Sequence, residues 1–533
     1  MPAYPTASVA NTSKPRSTDF YPKSRETVFA MSKRAGDLLL TAPFITLFLI
    51  QLVHHEMWRD ELYAFGIAVA SPTLSSVFWH LHYEGHPWLW YALLWVVSRF
   101  TTSPVGMKAL QAVIGTAIYL VIGVGSPFSR LEKILLFLCY YISFEYTVIS
   151  RMYGVVLLLT LVYIRQRTLH PERVLRGALL LGLMASTDMM AVFLSGALFI
   201  EYNFSALAVR DMASGPGKRQ LAWGALIYLG LTGLSVWSLT PRPDISWQSY
   251  GHPFQSAADP KHFFGAVVRY VVLPYFPVLR PGSFWNAFPT HPNHHLVCLG
   301  ISLPLILGSY YVLFHRHRNL LLLVGLTIVV LVAFGHLIFL GSVRHYGFTF
   351  LAFLAAIWFL RSQSPRLPTL AYVLLGLTAV SGIYAGLQAW QRPFSNAGST
   401  ARWLITNHLD TAPIVGTPDT AVASIAILLD RPIYMLECSC SDRYMLFSNR
   451  RDSFRESQIP DRIVTAMREL HVTSFLYLCS VPLSTEEQSA ISNKGLTVKL
   501  LASFTGAQII VNEDFHVYRI GDVDQSSLAL SER

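Results

Sequence analysis

The chain is 533 residues long, and 14% of its residues are charged, against about 25% in a typical soluble domain. Its hydrophobic share is 53%, and apolar runs of roughly 20 residues recur along it. This composition excludes an ordinary soluble protein and predicts a polytopic α-helical membrane protein. The formal net charge of +10 would suggest nucleic-acid binding in a soluble protein. Here we attribute it to Lys and Arg that hold loops in the cytoplasm, and we expect no nucleic-acid partner.

Residues 1–37 are polar, basic and rich in Ser, Thr and Pro, and no cleavable signal peptide opens the chain. They predict a disordered cytoplasmic tail. The first apolar run, residues 38–53, follows this basic tail and should therefore cross from the cytoplasm outward. The same rule places four further basic loops inside, at residues 165–176, 210–219, 315–318 and 361–366.

The remaining apolar runs extend the transmembrane domain over residues 38–390. They lie near residues 106–124, 132–149, 152–164, 174–187, 190–206, 221–239, 295–314, 319–340, 347–360 and 369–389. Counting sides from the basic loops puts residues 85 and 100–105 both outside. Residues 87–97 therefore cannot cross once, and we expect a re-entrant or juxtamembrane helix there. The count gives about 11 transmembrane helices, with the N-terminus in the cytoplasm.

Residues 391–533 differ from the rest because helical and extended segments alternate at short spacing. This pattern predicts a small C-terminal extracytoplasmic α/β domain. The cysteines of the chain show no metal-ligand spacing. Cys438 and Cys440 are too close in sequence for a relaxed disulfide, but either of them could pair with Cys479 in an oxidising compartment.

The stretch HLHYEGHPWLWY, residues 80–91, alternates His and Glu with other residues. On a strand, His80, His82, Glu84 and His86 would share one side and could form a zinc site. Pro87 instead favours a helix that begins there. The first two histidines then fit an interfacial role, bonded to headgroups or loops. Glu84 and His86 fit the rim of an active site, where they would bind the donor or a metal.

Asp60 and Glu61 follow the first span in the predicted outer loop 54–86. Adjacent carboxylates at a membrane exit can simply be solvated, or can pair with Arg59. The functional interpretation makes one of them, shielded from water, the general base for an acceptor hydroxyl. The other would bind a divalent cation through its hard oxygens, or stabilise positive charge that develops on a sugar ring.

Two further outer loops carry cations and tyrosines at predicted helix ends. They contribute Arg151 and Tyr153, and Arg344, His345 and Tyr346. Arginine can bind a phosphate in a bidentate way, and tyrosine can add a hydrogen bond. We therefore predict a lipid-phosphate site. The alternative is plain headgroup anchoring by interfacial Arg and Tyr.

Two of these stretches resemble a known superfamily. WRDELYAF resembles the Asp-Glu motif in the first outer loop of the GT-C membrane glycosyltransferases. YEGHPWLWYALL resembles the glutamate and proline-led helix near the end of that same loop. The superfamily includes protein O-mannosyltransferases, lipid A aminoarabinose transferases and bacterial lipopolysaccharide-core transferases, and the resemblance covers residues 38–390.

The resemblance implies a GT-C-like fold and transfer of a sugar from a polyprenyl-phosphate donor on the extracytoplasmic face. It makes Asp60 the base, and it makes Glu84 a residue that faces the donor or a metal. The sequence departs from the family at two places. Gly85 and His86 stand where aminoarabinose transferases have a lysine, and the second outer loop carries Arg151 and Tyr153 rather than an aspartate. The need for a divalent cation, Mg²⁺ or Mn²⁺, therefore stays open.

We accordingly expect a polyprenyl-phosphate-sugar-dependent glycosyltransferase of the bacterial inner membrane. Its partners would be membrane lipids, the lipid-linked donor and an acceptor that is a glycan, a lipid or a protein. The alternative is a transporter or lipid flippase, which typically shows internal repeats and ionisable residues at mid-membrane depth. We find no repeat, and Asp188, the best membrane-embedded carboxylate, falls at an outer turn by the count of sides. A non-catalytic scaffold would leave the polar outer loops unexplained.

Overall fold

The computed structural model describes residues 23–208, 217–245, 259–277, 298–452, 454–507 and 513–522. Its N-terminal and middle parts are helical. The helices up to the first gap are α1 (Lys23–His54), α2 (Arg59–Ala70), α3 (Leu74–Leu81), α4 (Trp88–Ser98), α5 (Val105–Gly125), α6 (Arg130–Leu138), α7 (Met152–Leu169), α8 (Val174–Ala185) and α9 (Met189–Ala208). Those that follow are α10 (Lys218–Ser238), α11 (Pro260–Val267), α12 (Leu303–Phe314), α13 (Arg318–Leu337), α14 (Val343–Gln363) and α15 (Thr369–Gln391).

Six helices of the described part are long and apolar enough to cross a membrane, so the chain is an integral membrane protein. They are Arg34–His54 within α1, and α5, α10, α13, α14 and α15. Shorter apolar helices, among them α4, α8 and most of α9 and α12, lie between them. The sequence count of about 11 crossings is larger than these six long helices, and its finer topology stays a prediction.

Three predicted segments can be compared with the helices directly. Residues 23–37 are helical, because α1 begins at Lys23 and not at residue 38, so the predicted disordered tail is wrong for them; residues 1–22 lie outside the described part. The run at 132–149 is broken: α6 ends at Leu138, and a five-residue π-helical turn follows at Tyr141–Glu145. Helix α4 has 11 residues and is about 16 Å long, so it is too short to cross, as predicted.

Helix α14 is the central helix of the bundle. In its 18-residue apolar stretch, 94% of the residues are buried inside the protein, compared with 22% in that of α10. Its sequence is apolar all round, which is typical of a helix surrounded by other helices. Arg344 lies in its first turn and Arg361 in its last. Because α14 is enclosed, other loops must supply the partners of both arginines.

The C-terminal region forms a six-stranded mixed sheet with the order β3-β2-β1-β4-β6-β5. Its strands are β1 (Ile414–Thr417), β2 (Ile433–Met435), β3 (Cys440–Asp442), β4 (Ser474–Cys479), β5 (Leu496–Phe504) and β6 (Phe515–Asp522). The helices are α16 (Ala397–Thr406), α17 (Asp419–Leu428), α18 (Ile459–Leu470) and α19 (Thr485–Ser492). Strand β1 runs parallel to β2 and β4, and the other pairs are antiparallel. The small α/β domain predicted from the sequence is therefore present.

The disulfide differs from the prediction. Cys438 bonds to Cys440, and their Cα atoms are 5.1 Å apart, while Cys479 is a free, buried thiol. Ser439 between them has φ +48°, a left-handed conformation that turns the chain sharply. The two cysteine side chains are thereby brought together, which the spacing alone had seemed to forbid.

The sheet domain, which we name the outer domain for its predicted side of the membrane, packs directly on the first loop of the membrane domain. Helix α17 lies on α2, and a Cβ at Gly66 would come within 2.7 Å of Ile427 Cδ1, so glycine permits this close approach. The Tyr444 hydroxyl bonds to His80 Nε2 at 2.9 Å. The outer domain is therefore positioned against the loop that carries Asp60.

Candidate active site

Asp60 and Arg344 form an ion pair between two separate loops. Asp60 lies in the first turn of α2, and Arg344 lies in the first turn of α14. Arg344 Nη1 donates to Asp60 Oδ2 at 2.8 Å, and the two side chains are 15% and 25% exposed. The structure thus brings together the candidate base and a candidate phosphate ligand, which lie 284 residues apart in the sequence.

Asp60 is surrounded by more positive charge than it can neutralise. Arg151 donates to the backbone carbonyl of Asp60, and Arg59 Nε lies 3.7 Å from its Oδ1. Burial alone would raise the pKa of Asp60, but Arg344, Arg151 and Arg59 outweigh it and lower the pKa to about 2. Asp60 is therefore ionised at neutral pH, and three guanidinium groups lie near its one carboxylate, of which Arg59 is also 3.9 Å from Glu513 Oε1.

Arg151 also connects the pair to His86 and Asp188. Arg151 Nη2 lies 3.0 Å from His86 Nε2, and His86 Nδ1 lies 3.5 Å from Asp188 Oδ2. Arginine can only donate, so His86 Nε2 must accept and its proton must sit on Nδ1, facing Asp188. Burial lowers the pKa of His86, which keeps the ring in this neutral form. Asp188, itself 2% exposed, thus belongs to the site. It lies in the turn between α8 and α9.

Glu84 lies beside this group and is also buried, at 7% exposure. Its carboxylate accepts hydrogen bonds from the hydroxyls of Tyr63 and Tyr91, the latter at 3.0 Å. Burial raises the pKa of Glu84 to about 7, although both tyrosines and Arg151 lower it. The site therefore holds two carboxylates with opposite pKa shifts, a pattern found where acid and base roles are divided.

Glu61, predicted as a catalytic partner of Asp60, points elsewhere. Its carboxylate accepts from His55 Nε2 at 2.9 Å, from the backbone N–H of Trp58 at 3.2 Å and from that of Ser150 at 2.6 Å. Neighbouring helix residues diverge by about 100°. Asp60 therefore points toward Arg344 and stays 25% exposed, while Glu61 points into the core and is 0% exposed. Glu61 fixes the start of α2 to the loop before α7 and is not placed for catalysis.

Three predicted phosphate ligands use their polar atoms inside the protein. His345 Nδ1 accepts from the backbone N–H of Ser342 at 2.9 Å, and its Nε2 pairs with the Tyr153 hydroxyl at 3.2 Å. Tyr346 donates to the carbonyl of Gly341 at 3.2 Å. These side chains hold the loop before α14 in shape, so their direct phosphate-binding role is not supported. Arg344 and Arg151 remain as the phosphate-binding candidates.

The alternating stretch at residues 80–86 does not form a metal site. His80 bonds to Ser71 and Tyr444, and His82 bonds to the carbonyl of Thr240. Glu84 and His86 turn toward the cluster around Arg151. Among the residues that the structure describes, no group of three or more His, Cys, Asp and Glu side chains is arranged to hold a metal ion. A divalent cation at this site stays a prediction.

One buried carboxylate at the site was not predicted. Glu513 of the outer domain accepts from the backbone N–H of Arg59 at 3.3 Å and from the Ser395 hydroxyl at 2.6 Å. It is 0% exposed, and burial raises its pKa to about 7. Nothing in the sequence around residue 513 signals this contact, because it depends on how the outer domain docks.

Comparison with known proteins gives a weak likeness to a solved structure. No family model matches the chain, and no curated protein matches it. Among solved structures, it is similar to ArnT from Cupriavidus metallidurans bound to undecaprenyl phosphate, with 14% identity and a TM-score of 0.47, over 90% of this chain and 97% of that one. ArnT is an aminoarabinose transferase of the GT-C class that the sequence resembles.

Proposed function

We propose that the protein is a membrane glycosyltransferase that moves a sugar from a polyprenyl-phosphate donor to an acceptor on the extracytoplasmic face. The observation that carries this proposal is the ion pair of Asp60 and Arg344, joined by Arg151 at the mouth of a helical membrane domain. A lipid-linked donor needs no nucleotide site. It needs cations near the headgroup level and a carboxylate within reach of the acceptor.

Arg344 and Arg151 are the proposed ligands of the donor phosphate. Both guanidinium groups lie against Asp60, whose single negative charge is smaller than the positive charge around it. A phosphate would complete the neutralisation, and arginine binds it with directed hydrogen bonds. As the sugar–phosphate bond breaks, these same groups would stabilise the negative charge that develops on the leaving phosphate.

Asp60 is the proposed base. The acceptor hydroxyl oxygen bonds to the anomeric carbon, the bond from that carbon to the phosphate oxygen breaks, and the phosphate leaves with the electron pair. The hydroxyl proton passes to Asp60. While Arg344 holds Asp60, the low pKa makes it a weak base. A donor phosphate that attracts Arg344 would withdraw that charge and raise the pKa of Asp60, so base strength would develop when the donor is bound.

Glu84 and His86 are proposed to lie on the donor side of the same site. Glu84 fixes the hydroxyls of Tyr63 and Tyr91, and His86 orients Arg151 from the opposite side. Whether a divalent cation, Mg²⁺ or Mn²⁺, also takes part stays a prediction from the sequence. The acceptor class, the identity of the sugar and the bacterial inner-membrane location stay predictions from the sequence.

The test is release of the lipid product. Purified protein is incubated with a panel of labelled polyprenyl-phosphate sugars and candidate acceptors, and free polyprenyl phosphate is measured. We expect release by the wild type and loss of release by Asp60→Asn. The matched control is Asp430→Asn, which changes an exposed ion pair with Arg443 and an exposed hydrogen bond from the Thr102 hydroxyl, both away from Asp60. A transporter would release no lipid phosphate with any donor, and normal release by Asp60→Asn would remove the residue from the mechanism.

A further inference from the structure

A second cavity lies at the opposite end of α7 from the candidate active site. Arg151 immediately precedes α7, whereas Tyr163, Gln166 and Arg167 lie three to four turns further along, roughly 18–24 Å away. The cavity is a cleft between α7, α8, α9 and α10. Its lining has no residue in common with the cluster around Asp60, so it is a separate site.

The cleft contains buried polar atoms without a described hydrogen-bond partner. They are the Tyr163 hydroxyl, Gln166 Oε1 and Arg167 Nε. Tyr163 is 2% and Gln166 6% exposed, and both line the cleft. A buried polar group without a partner destabilises the folded protein. A ligand that supplies both donors and acceptors would remove this cost.

The mouth of the cleft is positively charged. Arg167 and Arg173 line it, and the Arg167 guanidinium stacks over the Tyr202 ring at 4.7 Å. Two carboxylates are nearby in the sequence. Glu172 lies 3.7 Å from Arg173 Nε but is 64% exposed, and Glu201 accepts from Asn319 and Ser205. The stacked Arg167 therefore presents a cation that no carboxylate in the described residues neutralises by an ion pair.

The rest of the cleft is apolar and opens onto a surface that suits acyl chains. Its wall is formed by Val174, Ala178, Leu181, Phe199 and Leu221. The neighbouring helix faces carry exposed apolar side chains, namely Leu175, Leu179, Ile200, Phe204, Trp223 and Leu226. A free inorganic anion would gain nothing from this surface, whereas a lipid would cover it.

We propose that this cleft binds an anionic phospholipid, with the phosphate at Arg167 and Arg173, the glycerol oxygens at Tyr163 and Gln166, and the acyl chains along α8 and α10. Basic pockets between transmembrane helices recognise anionic headgroups through the same combination of charge and apolar surface. The bound lipid would fasten α7 to α8, α9 and α10. Because Arg151 begins α7, the lipid would also stabilise the helix that carries one of the candidate phosphate ligands.

The test measures lipid binding to the detergent-purified full chain by native mass spectrometry, with phosphatidylglycerol and phosphatidylcholine as probes. The double variant Arg167→Gln/Arg173→Gln should bind phosphatidylglycerol about tenfold or more weakly. The matched control Arg176→Gln, an exposed residue of the same region outside the cleft, should bind as the wild type does.

Three outcomes would overturn the proposal. Equal phosphatidylglycerol binding by the wild type and the double variant would show that the cleft is not used. An equal loss in Arg176→Gln would indicate diffuse surface charge. Displacement of the lipid by inorganic phosphate at millimolar concentration, with phosphate alone raising the melting temperature as much as lipid does, would assign the cleft to a free anion. Each readout is independent of glycosyl transfer.

Discussion

The two ends of α14 carry the same chemical pair in two different settings. At the first end, Arg344 bonds to Asp60 at 2.8 Å. At the other, Arg361 Nε bonds to Glu132 at 3.0 Å, about 25 Å away along the helix. Glu132 is 0% exposed and also accepts from the Tyr372 hydroxyl at 2.8 Å and the backbone N–H of Ser129 at 2.5 Å. Its hydrogen-bonding capacity is satisfied within the protein.

The pair at Asp60 is incomplete by comparison. The Asp60 side chain is 25% exposed, and three arginines face this single carboxylate. The difference teaches that an arginine–carboxylate pair in a membrane protein does not by itself mark a functional site. What distinguishes the Asp60 end is accessibility together with excess positive charge, which are the conditions that a phosphate ligand needs.

The largest expected difference between the two ends is in catalysis. Asp60→Asn should lower turnover by about 100- to 10,000-fold, the range for loss of a general base. Glu132→Gln should leave turnover per folded molecule within about twofold, because Glu132 touches no reacting group. The check is lipid phosphate release, normalised to the folded fraction in each preparation. Comparable losses in the two variants would erase the distinction.

Stability should show the reverse order. Arg361→Gln leaves Glu132 buried without its ion partner, and removal of one member of a buried pair costs about 3–5 kcal/mol. Arg344→Gln should cost about 1 kcal/mol, because Asp60 keeps Arg59 and access to water. The free energy of unfolding is measured by denaturant titration in detergent. A larger loss for Arg344→Gln than for Arg361→Gln would contradict this account.

The two ends also differ in that the Asp60 end continues into the outer domain through Glu513. The raised pKa of Glu513 means that folding takes up a proton between about pH 4.5 and 7. The stability of the folded protein therefore falls as the pH rises through that range. Glu513→Gln should reduce this slope by about 1.4 kcal/mol per pH unit. Glu84 shares the window, so part of the slope should remain. An unchanged pH profile of melting temperature would argue against a protonated Glu513.

The smallest effect is expected for His82, which lies in the same loop as Asp60. Its ring is partly exposed and bonds only to the Thr240 carbonyl among its described hydrogen bonds. His82→Ala should change the free energy of unfolding by about 0.5 kcal/mol or less and leave turnover unchanged. His86→Ala, which removes the partner of Arg151, is the matched comparison and should lower turnover clearly. Equal effects of His82→Ala and His86→Ala on turnover would mean that His86 has no functional role that His82 lacks.

The sequence could predict that Asp60 and Arg344 lie near each other because both are next to apolar runs. The positions of the basic loops also place both residues on the same side of the membrane. The sequence could not separate Asp60 from Glu61, since only the direction of each side chain in the first turn of α2 decides which of them is enclosed. For the same reason, the sequence could not show that His345 and Tyr346 form hydrogen bonds within the protein. Glu513 was missed because its contact forms only when two domains pack. The pairing of Cys438 with Cys440 depends on the backbone conformation of Ser439, which spacing does not reveal.

The most direct measurement is binding of polyprenyl phosphate to Arg344→Gln and Arg361→Gln, the two ends of one helix. Undecaprenyl phosphate, used as the probe, is titrated against each purified variant and the wild type in nanodiscs. We predict about tenfold or greater weakening for Arg344→Gln, as expected for loss of a charge-assisted hydrogen bond, and wild-type affinity for Arg361→Gln. Unchanged affinity in Arg344→Gln would contradict the assignment of Asp60 and Arg344 to a lipid-phosphate site.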